Sequence, residues 1–466
     1  VKLIKLYQKQ LIYVLILIGV FMRFYTAGFG SNFDFETWNI GPELIKKGIS
    51  VYTIPDTDAW GRFNWGPIWP YTLYIFKLLA GDDRQTFHYL LTGYLTFIDL
   101  ALCYLFYKFY GKTVALLYFL SPLTYLITGF HLQFENTALL LAFLGWYFYL
   151  KEDKKYYLIS AVLFGLSITA KHILILFPVW LFFFEYFQKN KVNFLWNIYH
   201  KSIIYFIFFG GFLVEILIHF QKANEVIDGI IKYVFKYNSF DGLSAFSQLI
   251  RFIGNTDIYQ FINLFVPLNL FISILPAGHS YYRLLFLLIL AVLGFFVAKN
   301  IQQKTLLLPL YLLFFFSFGS SLADQYFVIP LVTSLIFYQR IESIIYHIVA
   351  GTYLATFSLN NIASISNVYY FKLGELSIPI FPYNLKQIFT IDPNTQRFDM
   401  NSYSNYYIPQ FYLLLMSCLF IYRILKKESL EIAKDKLNIK IIYLYGLFYF
   451  YILFIIILRK YIIDTI

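Results

Sequence analysis

Charge is what this chain has least of. Only 14% of its 466 residues are Asp, Glu, Lys or Arg, against about 25% in a typical soluble domain. So few charges cannot clothe a water-facing surface of this size, and a water-soluble enzyme is excluded. Cysteine is nearly absent too. Cys103 and Cys418 lie far apart inside apolar runs, which excludes a disulfide framework and a Cys-based zinc site. The formal charge of +11 comes without any basic block. Its Lys and Arg residues are scattered over short loops, so the excess reads as retention of cytoplasmic loops and not as nucleic-acid binding. No repeat of fixed period and no low-complexity segment is visible.

What the chain does have is apolar and aromatic bulk, 59% and 22% of its residues. A helix crossing about 30 Å of hydrocarbon needs about 20 apolar residues, and roughly a dozen or more such runs follow one another with short polar punctuation. Runs such as LYQKQLIYVLILIGVF are apolar all round, whereas strands of a membrane barrel alternate. The expected architecture is an all-α polytopic transmembrane bundle of about 11–15 spans. It forms a single integral membrane domain over 1–466, with 1–220 as the catalytic module and 221–466 as more variable helices and outer loops. Lys2, Lys5 and Lys9 precede the first run, which reads as a retained span and not a cleaved signal.

Loop charge assigns sides. The Lys-bearing N-terminus and the loops 108–112 (+2), 189–201 (+3), 299–304 (+2) and 426–440 (+2) belong in the cytoplasm. The acid-rich segment 31–64 and the neutral segments 220–259 and 361–408 belong on the other side. Parity then demands that one of the candidate helices 67–80 and 87–107 is not a full crossing. The shorter, with Pro67, Pro70 and Lys77, is the better candidate, and the same conflict recurs near Pro267 and Pro276.

Four polar islands fall on that non-cytoplasmic face. SNFDFETW carries Asp34 and Glu36. In an extended segment residues i and i+2 share a side, so both carboxylates face a common cavity, as general base or as ligands of Mg or Mn. Solvated loop acids are the plain alternative. The stretch VYTIPDTDAWGRFNWGPIWPY suits an amphipathic surface helix with tryptophans at headgroup depth, and its Arg62 is a candidate partner for an acid or a phosphate. TGFHLQFENTALL places His131, Gln133, Glu135 and Asn136 at a membrane helix start, where polar groups are expensive unless used and capping accounts for only one. Lys171 and His172 interrupt ITAKHILILFPVW; such a pair faces a cavity or a lipid phosphate, or else snorkels. Asp324, Gln325 and Tyr326 open a later span, with N-capping by Asp324 as the local alternative. Carboxylates, amides and a basic pair around one cavity suit transfer of a sugar from a lipid phosphate. The acceptor hydroxyl needs a base, the departing phosphate needs positive charge, and the sugar needs directional hydrogen bonds.

These motifs resemble the GT-C glycosyltransferases, polytopic enzymes that use polyprenyl-phosphate sugars. DFETW resembles the D-Y/F-E pattern of the lipid-linked-oligosaccharide glucosyltransferases, and HLQFENTALLL is similar to their H-F-Q-Y-N segment and to the G-Q-x-N segment of polyprenol mannosyltransferases. SITAKHILILFPVW resembles the K-H or K-x-x-P segment that follows, and DQYFVIPL the late Q-Y motif. The likeness covers the order and spacing of four motifs over 31–335. It implies an inverting hexosyltransferase, for mannose or glucose, acting on a lipid-linked glycan or glycolipid acceptor. Asp34 would be the base, and Glu36 would assist it or help hold a metal in members that use one. His131, Gln133, Glu135, Asn136, Asp324, Gln325 and Tyr326 would meet sugar or acceptor, and Lys171, His172 and Arg62 the donor phosphate. The W-W-D tripeptide of oligosaccharyltransferases and the adjacent D-E of protein O-mannosyltransferases are missing, which points away from protein acceptors. Glu135 stands where H-F-Q-Y-N has tyrosine. The competing class is a secondary transporter or flippase of lipid-linked sugars, for which broken helices, inverted repeats and deep ionisable groups are the marks; Asp99, Glu185 and Glu215 are the acids deep inside apolar runs.

Overall fold

The computed structural model describes residues 2–30, 33–53, 63–187, 194–235, 279–319, 324–362, 370–373, 376–379, 407–428, 430 and 439–465. Helices dominate them. The exception to the all-α expectation is a two-stranded antiparallel hairpin, β1 (Tyr370–Leu373) with β2 (Leu376–Pro379). Among the described residues three helices are long and apolar enough to cross a membrane, Gln10–Ala27, Arg84–Tyr110 and Leu195–Ile218. The number rises to five if two bent pairs each make one crossing: Lys112–Leu120 with Pro122–Phe130, angled by 47°, and Lys154–Ala170 with His172–Phe187, angled by 118°. Large apolar side chains such as Leu17, Phe97 and Phe206 point outward unshielded, as they do where the surroundings are lipid.

Among the described residues, several apolar runs are broken before they reach bilayer length. The helix α1 spans Lys2–Ala27 and α2 Phe33–Lys46. α3, Ile68–Ala80, has 13 residues and rises only about 20 Å, short of the hydrocarbon thickness. α4, Arg84–Tyr110, is the full-length member of that pair; Asp83 caps it by accepting from Gln85 N at 3.3 Å and Thr86 N at 3.0 Å. α5 (Lys112–Leu120) and α6 (Pro122–Tyr125) meet at Ser121, where the proline that opens α6 lacks an N–H to continue the first ladder. α6 runs into a π turn, Leu126–Phe130, and α7 resumes at Glu135–Tyr149. α8 (Lys154–Ala170) stops at Lys171, and α9 (Phe177–Phe187) leaves in a new direction. Backbone groups freed at that break are answered by Tyr311, whose hydroxyl donates to Ile173 O at 2.9 Å and accepts from Leu176 N at 3.3 Å.

The deep acids are all engaged. Asp99 on α4 accepts from Arg23 Nε (2.9 Å), Tyr118 OH (3.0 Å), Thr128 Oγ1 (2.7 Å) and Asn136 Nδ2 (3.1 Å). Arg23 Nη1 donates to Gly19 O at 2.9 Å and Phe119 O at 2.8 Å. This one cluster fastens α1, α4, α5, the π turn and α7. Glu185 pairs with Lys201 and accepts from Tyr149 OH at 2.6 Å. Glu215, on α10 (Phe194–Ile218), accepts from Ser50 Oγ at 2.5 Å and Tyr71 OH at 2.7 Å, clasping the segment after α2 to α3 and α10.

Removing one member of a buried ion pair strands the other charge and costs about 3–5 kcal/mol, more than replacing both by apolar groups. Arg23→Met should therefore lower the melting temperature in detergent sharply, and adding Asp99→Asn, which removes the stranded charge and keeps an acceptor for the other donors on Asp99, should recover part of the loss. An unchanged melt for the single variant would mean that the cluster does not hold the bundle.

Candidate functional site

Asp34 lies in the first turn of α2, where the sequence suggested an extended segment. That corrects the reason for pairing Asp34 with Glu36: positions two apart on a helix are about 200° apart around its axis, so the backbone does not set them on one face. Asp34 and Trp38, at i and i+4, do share a face. The Asp34 side chain is half-buried, and Gln133 Nε2 donates to its Oδ2 at 2.5 Å across 99 residues of chain.

The backbone that presents Gln133 is unusual. His131 N closes the π turn on Leu126 O at 2.9 Å, Leu132 then takes a left-handed φ of 53°, and Gln133 N returns to Ile127 O at 2.9 Å. A buried leucine at positive φ costs on the order of 1–3 kcal/mol, and π segments concentrate at functional sites. His88 Nε2, 2.9 Å from Gly129 O, and Thr128 on Asp99 brace this turn.

On the other side of Gln133 stands a buried cation. The nitrogen of Lys171 pairs with Glu135 Oε1 and lies over the rings of Tyr326 (4.5 Å), Phe134 (4.7 Å) and Trp65 (5.9 Å). Lys171 and Glu135 are 2% and 0% exposed, so the pairing and the aromatic faces replace the lost hydration. Phe134 stacks on Trp69 at 4.3 Å, and Trp69 meets Trp38 edge-on at 5.3 Å. Gln133, which holds Asp34, and Glu135, which pairs with Lys171, are two residues apart, so the carboxylate of α2 and the Lys171 box adjoin.

Asp34, Gln133, Glu135, Lys171 and Tyr326 thus come together. Asn136 goes elsewhere: its amide donates to Asp99 Oδ1 and to Leu95 O, both at 3.1 Å, which makes it a strut of the Arg23 cluster. His131 is buried against Phe130 with ring centroids 4.8 Å apart. His172 is half-buried and opens the 3-10 turn His172–Leu174. Asp324 and Gln325 begin the turn Asp324–Phe327, but their side chains, like that of Glu36, lie outside the described residues, as does Arg62 entirely. Among the described residues no group of three or more His, Cys, Asp or Glu is placed to hold a metal ion.

Trp65 and Trp69, read from the sequence as headgroup-depth side chains, pack inside the protein, 5% and 1% exposed, where they wall the box around Phe134. Trp38 and Phe134 were not singled out, although the i, i+4 relation of Trp38 to Asp34 was visible once α2 is read as a helix. Two further cations lie over rings beside α2: Arg84 over the Phe35 ring at 4.9 Å, and Lys77 at 5.5 Å over the Phe87 ring, which stacks on Phe35.

Compared with known proteins, the chain matches no family model and no curated sequence.

The box depends on a close approach. A Cβ on Gly66, between Trp65 and Pro67, would run into Thr169 O, two residues before Lys171. Gly66→Ala should cost about 1–3 kcal/mol of stability and shift tryptophan emission by moving Trp65. An unaltered melt and spectrum would contradict this packing of the 63–67 segment on the end of α8.

Proposed function

We propose that the chain is a GT-C-type integral membrane hexosyltransferase. In this reading it is polytopic, with about 11–15 crossings in all, and carries its site on the non-cytoplasmic face, as the loop charges favour. It moves mannose or glucose from a polyprenyl phosphate to a lipid-linked glycan or glycolipid, with inversion. The observation that carries the reading is the hydrogen bond from Gln133 Nε2 to Asp34 Oδ2, which joins the first and second motifs around a half-buried carboxylate.

Asp34 is suited to the base. Gln133 orients one carboxylate oxygen, and partial burial keeps the group beside apolar walls where a proton acceptor is effective. Asp34 removes the proton of the acceptor hydroxyl as its oxygen bonds to the anomeric carbon, and the polyprenyl phosphate departs with the electron pair of the broken C–O bond. Lys171 contributes positive charge in a water-poor surrounding, where such charge acts strongly on a departing phosphate. To contact that phosphate directly it must exchange Glu135 for it. His172, half-buried beside the same helix break, stands with it in the donor region. Any metal, Mg or Mn, would be held with Asp34.

One observation favours the flippase reading. The span broken by 118° at Lys171 resembles the discontinuous helices at which transporters bind their cargo. Transfer of labelled hexose from a synthetic polyprenyl phosphate, set against translocation of the intact lipid in sealed vesicles, separates the two.

Asp34→Asn should reduce transfer by about 10²–10⁴-fold, the usual worth of a general base, with expression and melting unchanged. Wild-type rates in that variant remove Asp34 from the mechanism. Lys171→Ala should raise the KM for the donor more than that for the acceptor. An effect on the acceptor alone contradicts the phosphate assignment.

A further inference from the structure

Four polar atoms of residues that pack on Phe134 or flank it in the chain are buried and have no hydrogen-bond partner among the described residues: the indole N–H groups of Trp38 and Trp69, Gln133 Oε1 and Glu135 Oε2. The Trp38 and Trp69 rings lie 6.4 Å and 4.3 Å from that of Phe134, and Gln133 and Glu135 are its neighbours in the chain. A buried polar atom left unanswered costs about 1–3 kcal/mol, and native proteins leave few of them. Here two donors and two acceptors belong to residues that pack on Phe134 or flank it in the chain.

The chemistry of that set is selective. A phosphate accepts but does not donate, so it answers the indoles and leaves the Gln133 and Glu135 oxygens bare. An ammonium does the reverse. Hydroxyl groups both donate and accept, and a ligand with several of them answers all four atoms. The position is selective as well, because the other amide atom of Gln133 holds Asp34. A hydroxyl-bearing ring on Gln133 Oε1 therefore sits beside the candidate base.

We propose that Trp38, Trp69, Gln133 and Glu135 form the subsite that reads the hydroxyl groups of the transferred hexose. This rests on the reading of the chain as a hexosyltransferase and adds to it the two indoles as sugar ligands. All four side chains are closed off from solvent in this state, so admission of the sugar parts the rings that cover them. Gln133 is then both an orienter of Asp34 and a contact to the sugar, which couples sugar recognition to the placement of the base.

The test is binding of two lipids to the full chain in nanodiscs: a polyprenyl phosphohexose and the same polyprenyl phosphate without sugar. Wild type should prefer the sugar-bearing lipid by about tenfold or more, as several neutral hydrogen bonds require. Trp38→Phe and Trp69→Phe keep a ring and lose the N–H; each should cut that preference about fivefold and leave affinity for the bare lipid unchanged. Donors lacking single hydroxyls supply a second arm that needs no variant: at least one should bind wild type about fivefold more weakly, and its further loss in the matching Trp→Phe protein should vanish. Preference unchanged in both variants and for every deoxy donor overturns the subsite, and means that the four atoms hold water. So does a wild type with no preference for the sugar. A sugar preference that the variants weaken, with no transfer in any assay, leaves the subsite standing and removes the enzyme reading; transfer with unaffected variants does the opposite.

Discussion

A charge within hydrocarbon persists only where another group answers it, and the pair Arg23–Asp99 is where this chain meets that demand most completely. Arg23 distributes its donors over Asp99, Gly19 O, Phe119 O and Thr124 Oγ1, and Asp99 collects Tyr118, Thr128 and Asn136. Those partners are spread over the chain between residues 19 and 136, so satisfying two side chains settles how α1, α4, α5, the π turn and α7 pack. Lys171 with Glu135, and Lys201 with Glu185, repeat the solution farther along.

The candidate site grows out of the places where this packing interrupts helices. A broken helix frees backbone groups that lipid cannot satisfy, and the chain answers each break with side chains from elsewhere. Tyr311 serves the turn at Lys171; Arg23 Nη1, on Phe119 O, and Tyr449 OH, on Leu117 O at 3.1 Å, serve the end of α5; His88 serves the π turn. Breaks therefore draw polar groups together. Two of them, at Leu126–Phe130 and at Lys171, end beside one another, and the residues they release are Gln133, Glu135 and Lys171. Strain at Leu132 fits the same picture, since a local cost of this kind persists only where the surroundings impose it.

Much of this was legible in the sequence. Apolar length marked the membrane class, and the polar islands at 32–38, 128–136, 171–172 and 320–326 marked residues that hydrocarbon would not tolerate idle. Asp34, Gln133, Glu135, Lys171 and Tyr326 do meet. What was not legible depended on conformation or on distant partners. The period-two reading of Asp34 and Glu36 failed because the four apolar or aromatic residues in FDFETWNI fit an extended segment and a helix equally well at that length. Asn136 could not be told from its neighbours without knowing that Asp99, 37 residues earlier, faces it. That the tryptophans at 65 and 69 wall an interior box depends on the approach of Gly66 to Thr169, which the sequence does not show.

Asp34 is the centre of the account, and the most direct measurement is an experimentally determined structure with a polyprenyl phosphohexose and an acceptor analogue bound. The account predicts the Asp34 carboxylate still held by Gln133 and within about 3 Å of the acceptor hydroxyl, on the face of the sugar opposite the phosphate. A bound donor whose anomeric carbon lies far from Asp34, or an Asp34 turned into bulk water away from Gln133, would contradict it.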